Sequence, residues 1–154
     1  MSQVSWSYKA FDQLTPFELY RILSLRNKVF VVEQNCVYDD TDGKDLSCFH
    51  LCGYLNDELV AYARIVPPGV SYAEPCLGRI ATALAVRRKG IGRELMRKGI
   101  DIVKELYGNT GIRISAQAYL IDFYSSFDFN SIGEPYLEDD IPHIEMLLPF
   151  ISNT

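Results

Sequence analysis

No apolar stretch of the chain approaches the roughly 20 residues that a helix needs to cross a bilayer. The opening segment MSQVSWSYKAFDQL carries neither the apolar core of a signal peptide nor a lipidation motif, so the expected location is the cytoplasm. Positive charge is in short supply: 15 Lys and Arg stand against 20 Asp and Glu, for a net charge of -5. That balance argues against a broad nucleic-acid or anionic-membrane surface, since both draw on a surplus of cations. Internal repeats, low-complexity tracts and Ser/Gly linkers are missing too. The 154 residues are therefore read as one domain, of a size that buries roughly 70% of its unfolded surface. Cysteine is sparse, and the four present (Cys36, Cys48, Cys52, Cys76) face a reducing compartment in which structural disulfides are rare. Cys48, His50 and Cys52 share one strand face, with Cys36 a conceivable fourth zinc ligand. Zinc sites usually pair cysteines on a tight CxxC turn, so these are read as half-buried strand residues and no metal is expected.

What is present reads as an α+β chain. Thr15-Pro16-Phe17-Glu18 combines an N-cap hydroxyl, a first-turn proline and a third-position glutamate, which predicts a helix over 16–31. Leu19, Ile22, Leu23, Val29 and Phe30 mark its apolar face, and Arg26 falls on that same face. An inward guanidinium needs an acidic partner or a substrate anion. Residues 33–45 carry Glu33, Asp39, Asp40, Asp42 and Asp45 in an irregular pattern, a loop that holds candidate partners for Arg26. A calcium loop is the sharper reading of Asp40 to Asp45, but its chelating glutamate is missing, which leaves a solvated or pocket-lining acidic loop. Apolar runs at 48–55 and 59–66 around Asn56-Asp57-Glu58 predict a hairpin. A strand at 77–82 then precedes a helix over 92–107 striped by Leu95, Ile102, Val103 and Leu106, with Gly108 as its stop. Ile112, Ile114 and Ala116 alternate along a strand at 112–118, a short helix covers 120–127, and strands at 132–136 and 143–148 close the chain. The order implies a mixed sheet covered by helices.

The richest passage is Arg87-Arg88-Lys89-Gly90-Ile91-Gly92-Arg93. Its helix lacks a Ser, Thr, Asp or Asn cap, so the first N–H groups want another acceptor, and an anion suits them. Arg87, Arg88, Lys89 and Arg93 add full charge, while Arg97 and Lys98 are better read as solvated helix charge. The nucleotide loop GxxxxGK[ST] is not matched, and GxGxxG fails because Leu95 stands at its third glycine. The glycine pair alone fits a tight strand-to-helix turn equally well.

These residues resemble the GNAT N-acetyltransferase superfamily, whose pyrophosphate loop Q/R-x-x-G-x-G/A is met from Arg87 to Gly92. Phe123-Tyr124-Ser125-Ser126-Phe127-Asp128-Phe129 is similar to its late F-Y-x-x-x-G-F motif, with Asp128 in place of glycine. RNKVFVVEQNCVYDDTDGKD from Arg26, Ala116-Gln117-Ala118 and Pro142-His143 look like the ElaA-type branch. The resemblance implies a GNAT-like, mostly antiparallel sheet whose middle strands splay to admit coenzyme A. Backbone groups at Ile80, Ala81 and Thr82 would then meet its pantetheine arm. Amides from Arg87 to Arg93 (Arg87, Arg88, Lys89, Gly90, Ile91, Gly92, Arg93) would hold its pyrophosphate, with Gln117 and Tyr124 also at the donor.

The implied reaction is direct attack of an amine on acetyl-CoA through a tetrahedral intermediate, with acyl-CoA and an amine of a small molecule or peptide as partners. A backbone N–H of the 80–82 segment would polarise the thioester oxygen. Tyr124 is the candidate acid at the leaving sulfur, although buried tyrosines are commonly packing residues. Glu33 is the first candidate base and His143 the second; Glu33 paired with Arg26, His143 hydrogen-bonded in a strand, or a relaying water are the alternatives. Arg26, Gln34, Arg79 and Glu138 are candidates for the acceptor pocket, and the acidic loop hints at a cationic acceptor such as a polyamine. Two other readings remain: a non-catalytic acyl-CoA sensor or interaction module, and a relative of acyl-homoserine-lactone synthases suggested by Arg26-x-x-x-Phe30 and the acidic residues after it. A homodimer is left open.

Overall fold

The run ELVAYARIV is apolar at almost every position, as a strand buried on both faces must be. In the computed structural model, which describes residues 3–149, it forms β3 (Glu58–Val66) inside a seven-stranded sheet. The other strands are β1 (Ser5–Ala10), β2 (Phe49–Leu55), β4 (Cys76–Thr82), β5 (Ile112–Gln117), β6 (Asn130–Glu138) and β7 (Ile141–Leu148), in the order β1-β2-β3-β4-β5-β7-β6. All neighbours run antiparallel except β4 and β5, which are parallel and share one pair, Cys76 with Arg113. Among the described residues no helix is long and apolar enough to cross a membrane.

Helices cover the two faces. On one side α2 (Ile91–Tyr107) buries Leu95, Met96, Ile102 and Val103 against Leu51, Ala63 and Leu77. Gly99 allows the close approach: a Cβ there would stand 3.2 Å from a Leu77 methyl. On the other side α1 (Pro16–Arg26) sets Ile22 and Leu25 on Cys52, Tyr62 and Ala81. The expected capping box holds, with Glu18 N–H donating to Thr15 Oγ1 at 3.1 Å and Thr15 N–H to Glu18 Oε1 at 2.8 Å. The helix does not continue regularly to residue 31, however. A wider π turn over Asn27–Glu33 takes over, and it carries Phe30 and Glu33 onto the wall of a cleft. The hairpin turn is the two-residue Asn56-Asp57, both at positive φ, so Glu58 opens β3 rather than closing the turn. β1 was not foreseen, although Val4, Trp6, Tyr8 and Ala10 alternate with Ser5, Ser7 and Lys9 through it, and Val4, Trp6 and Tyr8 pack on the core.

The acidic loop divides its residues: Glu33, Gln34, Cys36 and Tyr38 line a cleft, Asp39 and Thr41 face solvent, and Asp40, Asp42 and Asp45 are held by arginines. Asp40 accepts from Arg26 at 2.7 Å, Arg26 donates to Asp45 at 2.8 Å, and Asp45 accepts from Arg64 at 3.0 Å. Arg64 then meets Asp42 at 2.8 Å, Asp42 meets Arg79 at 3.5 Å, and Arg79 returns to Asp40 at 2.8 Å. Opposite charges alternate around a closed ring that ties the loop to α1, β3 and β4. Arg26 is 0% exposed and spent within this ring, which corrects its expected place in the acceptor pocket: it lies outside the cleft wall. His50 joins the ring from below. Its Nε2 donates to the Asp45 carbonyl at 3.0 Å and its Nδ1 accepts from the Tyr62 hydroxyl at 2.6 Å, so both nitrogens of the supposed zinc ligand are occupied.

Acid should open this ring. Burial pulls the Asp42 and Asp45 carboxyls up, but bonds from Arg64 and Arg26 outweigh it and hold both below the usual carboxylate range. A depressed folded pKa contributes stability above the unfolded value, about 4, and loses it as pH falls further. Burial likewise keeps His50 neutral, so its contribution fades first, below about 6.5. Urea titrations from pH 7 to 3 are expected to show both losses. Asp45→Asn, which takes one of two carboxylates from both Arg26 and Arg64, should cost about 2–3 kcal/mol at pH 7.

Candidate functional site

A parallel pair that ends after one rung leaves the rest of β4 and β5 without each other. Beyond Cys76 and Arg113 the strands part, and between them opens a cleft with a cavity volume of about 400 Å³. Leu77, Gly78, Ile80 and Ala81 wall it from β4, and Ile114, Ser115 and Gln117 from β5. The β3–β4 register slips between Tyr62 and Arg64, so that Arg79 and Ile80 together oppose Ala63 in a bulge. Arg79 sits there at φ 48, in the left-handed region that costs a non-glycine residue about 1–2 kcal/mol. Its side chain turns into the ring of charges, with the guanidinium 5.8 Å from the Tyr38 ring centroid.

At one mouth lies the start of α2. Gly90 is its N-cap at φ 80 and brings no side-chain acceptor, as the sequence implied. A Cβ at Gly90 would meet nothing within 4 Å, and one at Gly92 would meet only Phe123 at 3.9 Å, so the turn is an open cradle of backbone. The four basic side chains divide. Arg88 and Lys89 are exposed beside the cradle, but Arg87 forks onto both Glu33 oxygens and donates to the Thr82 carbonyl at 2.9 Å. Arg93 bonds Ser126 at 3.0 Å and lies 4.6 Å above the Phe127 ring. The partner of Glu33 is thus Arg87, not Arg26.

Tyr124 stands in the middle, on α3 (Ile121–Ser125), 7% exposed and edge-on to Phe123 and Phe129. Tyr124 borders the cleft, and its hydroxyl has no hydrogen-bond partner among the described residues. Burial pushes the phenol well above its usual range, so it remains an O–H donor. The expected helix over 120–127 is shorter, opening with a tight turn at Ala118–Leu120. Asp128 closes it at φ 74, which explains why the family pattern has glycine at this position.

On the β7 side of the cleft His143, 6% exposed, donates from Nδ1 to the Ile141 carbonyl at 2.6 Å. In the neutral ring that tautomer leaves the lone pair on Nε2, which lies 3.4 Å from Glu138 Oε2, and the ring stacks on Tyr136, whose hydroxyl bonds Ser115. Gln117 donates to Gln34 at 3.2 Å, so an expected donor ligand and an expected acceptor ligand hold each other. With Asp40, Asp42 and Asp45 neutralised, the carboxylates left along the cleft are Glu33, Glu138 and Asp139, and the loop no longer argues for a cationic acceptor. Sequence reading overlooked Arg64, Tyr38 and Tyr136. Arg64 was the visible one, a lone charge inside an apolar strand.

The profile of the Acetyltransferase (GNAT) domain matches residues 28–150. A UPF0039 protein of Synechocystis is 42% identical over 146 residues, which cover 94% of this chain and 95% of the relative. An acyl-CoA N-acyltransferase from Pseudomonas aeruginosa has a crystal structure that superposes with a TM-score of 0.91 at 39% identity, covering 94% of this chain and 99% of that one. The crystal structure of Escherichia coli ElaA gives 0.89, again at 39% identity and with coverage of 94% and 99%.

The conformation at Asp128 generates its own test. Asp128→Gly should raise stability by up to about 1 kcal/mol, and Asp128→Val should lower it by about 1–2 kcal/mol, as read from thermal unfolding.

Proposed function

The chain belongs to the acetyltransferase (GNAT) domain family, and on that premise we propose that it moves an acyl group, acetyl in the first instance, from coenzyme A to the amine of a small molecule or peptide. The observation that carries this reading is the parting of β4 from β5, which sets beside one cleft an uncapped helix start and a phenol without a hydrogen-bond partner among the described residues. The residues fit such a donor. Amides of the open turn from Arg88 to Arg93, with the exposed Arg88 and Lys89 beside them, would hold its diphosphate. Ile80, Ala81, Thr82 and Gln117 line the path for its arm. The thioester supplies an activated carbonyl and a thiolate leaving group.

The chain's own groups then have separable tasks. A main-chain N–H in the 80–82 segment polarises the carbonyl oxygen as charge gathers on it. Tyr124, kept protonated by burial, donates its proton to the departing sulfur. An amine is mostly protonated at neutral pH and must lose a proton before attack. Of the two base candidates His143 has the better placed lone pair, because its Nδ1–H is committed to Ile141. Glu138, half-exposed beside Nε2, passes that proton to solvent. Glu33, with both oxygens on Arg87, shapes the acceptor side instead.

Thiol release from acetyl-CoA across a broad amine panel tests the reading, alongside isothermal titration of the donor. Saturable binding and amine-dependent release are expected; no heat at millimolar donor would overturn it. Tyr124→Phe and His143→Gln should each lower kcat by about 10²-fold while donor affinity changes little. Equal turnover in either variant would remove that residue from its task.

A further inference from the structure

We propose that Arg79 is a positioning residue of the transfer reaction: it holds the β4 bulge, and through it the cleft-facing backbone of 79–81, instead of binding the acceptor. The proposal rests on the acyl-transfer reading given above. Among the described residues eight non-glycine residues have positive φ, and seven of them lie in turns, six being Asn or Asp. Arg79 alone of the eight lies inside a strand, in a bulge whose left-handed backbone favours glycine. Such a conformation persists only where the surroundings impose it.

The side chain supplies the constraint. Nε lies 2.8 Å from Asp40 Oδ1, and Nη2 donates to the Asp40 carbonyl at 3.0 Å and lies 3.5 Å from Asp42 Oδ2. Every one of these partners belongs to the acidic loop, and that loop is itself pinned by the buried Arg26 and Arg64. A rigid path therefore runs from α1 and β3 through Asp40 to the bulge. The bulge stands directly beyond the last rung shared by β4 and β5, and Gly78, Arg79 and Ile80 all border the cleft there. Asp40 does not border it, which separates anchoring from contact with a substrate.

Glycine at position 79 accepts the same φ without strain but leaves the bulge untethered. Arg79→Gly should thus stay folded, with a melting temperature within a few degrees of wild type, and still turn over about 10- to 100-fold more slowly. Michaelis constants for the amine and the dissociation constant for acetyl-CoA should move less than about threefold. Asp40→Asn should reproduce the loss from outside the cleft, and the double variant should be no worse than Arg79→Gly alone. Amide hydrogen exchange at Ile80 and Ala81 should quicken in Arg79→Gly while β2 is unchanged, a readout that needs no activity. Turnover in Arg79→Gly within about twofold of wild type, or a loss confined to the amine's Michaelis constant, overturns the proposal. Arg79→Gly carries the test alone if Asp40→Asn fails to fold. Wild-type protein that releases no thiol would overturn the transfer reading itself, whereas active wild type with an unaffected Arg79→Gly overturns only this role.

Discussion

Three guanidinium groups and three carboxylates closed into one circuit hold the wall of the cleft in place. Each buried ion carries a desolvation penalty of several kcal/mol, repaid only if its partners are all present. Every member has two opposite neighbours, so each ion keeps one partner when another is lost, and Arg26 and Arg64, the most buried, anchor the loop that supplies the aspartates. Arg26 comes from the first helix, Arg64 from a strand buried on both faces, and Arg79 from the bulged strand. Three elements distant in sequence are thereby fixed to one irregular segment that has little apolar surface of its own.

That constraint gives the cleft its asymmetry. On the circuit's side the wall is set by charge, and on the other by the apolar packing of α2 and α3 around Leu77, Ile114 and Tyr124. Groups suited to proton transfer sit where the two meet. Tyr124 has an apolar surround that keeps its proton, and His143 has a carbonyl that fixes its tautomer. Neither arrangement depends on a metal ligand set, and each follows from which element the residue occupies.

Much of the architecture was legible because it rests on local signals. The capping box at Thr15, the apolar stripe of α2 and the alternation of Ile112, Ile114 and Ala116 each specify an element within one or two turns of chain. The bare N-terminus of α2 was legible in the same way. What the sequence concealed was pairing at a distance. Glu33 to Arg87 spans 54 positions and Arg79 to Asp40 spans 39, and no periodicity encodes such partners. Arg26 announced that it needed a carboxylate without saying that two would consume it. The widening of the first helix at Asn27 was hidden too, because Val29 and Phe30 fit an ordinary helical face as well as a π turn.

One rung, Cys76 with Arg113, joins the two halves of the sheet, helped by the Arg113 N–H bond to the Pro75 carbonyl at 3.0 Å. Mechanically the molecule is two leaves on a short spine. Behind the gap the leaves share one apolar core, with Leu77 of the first and Ile112 and Ile114 of the second in the same cluster as α2. The gap is thus built into the sheet, and a long, thin guest lying in it would displace no antiparallel ladder on either leaf.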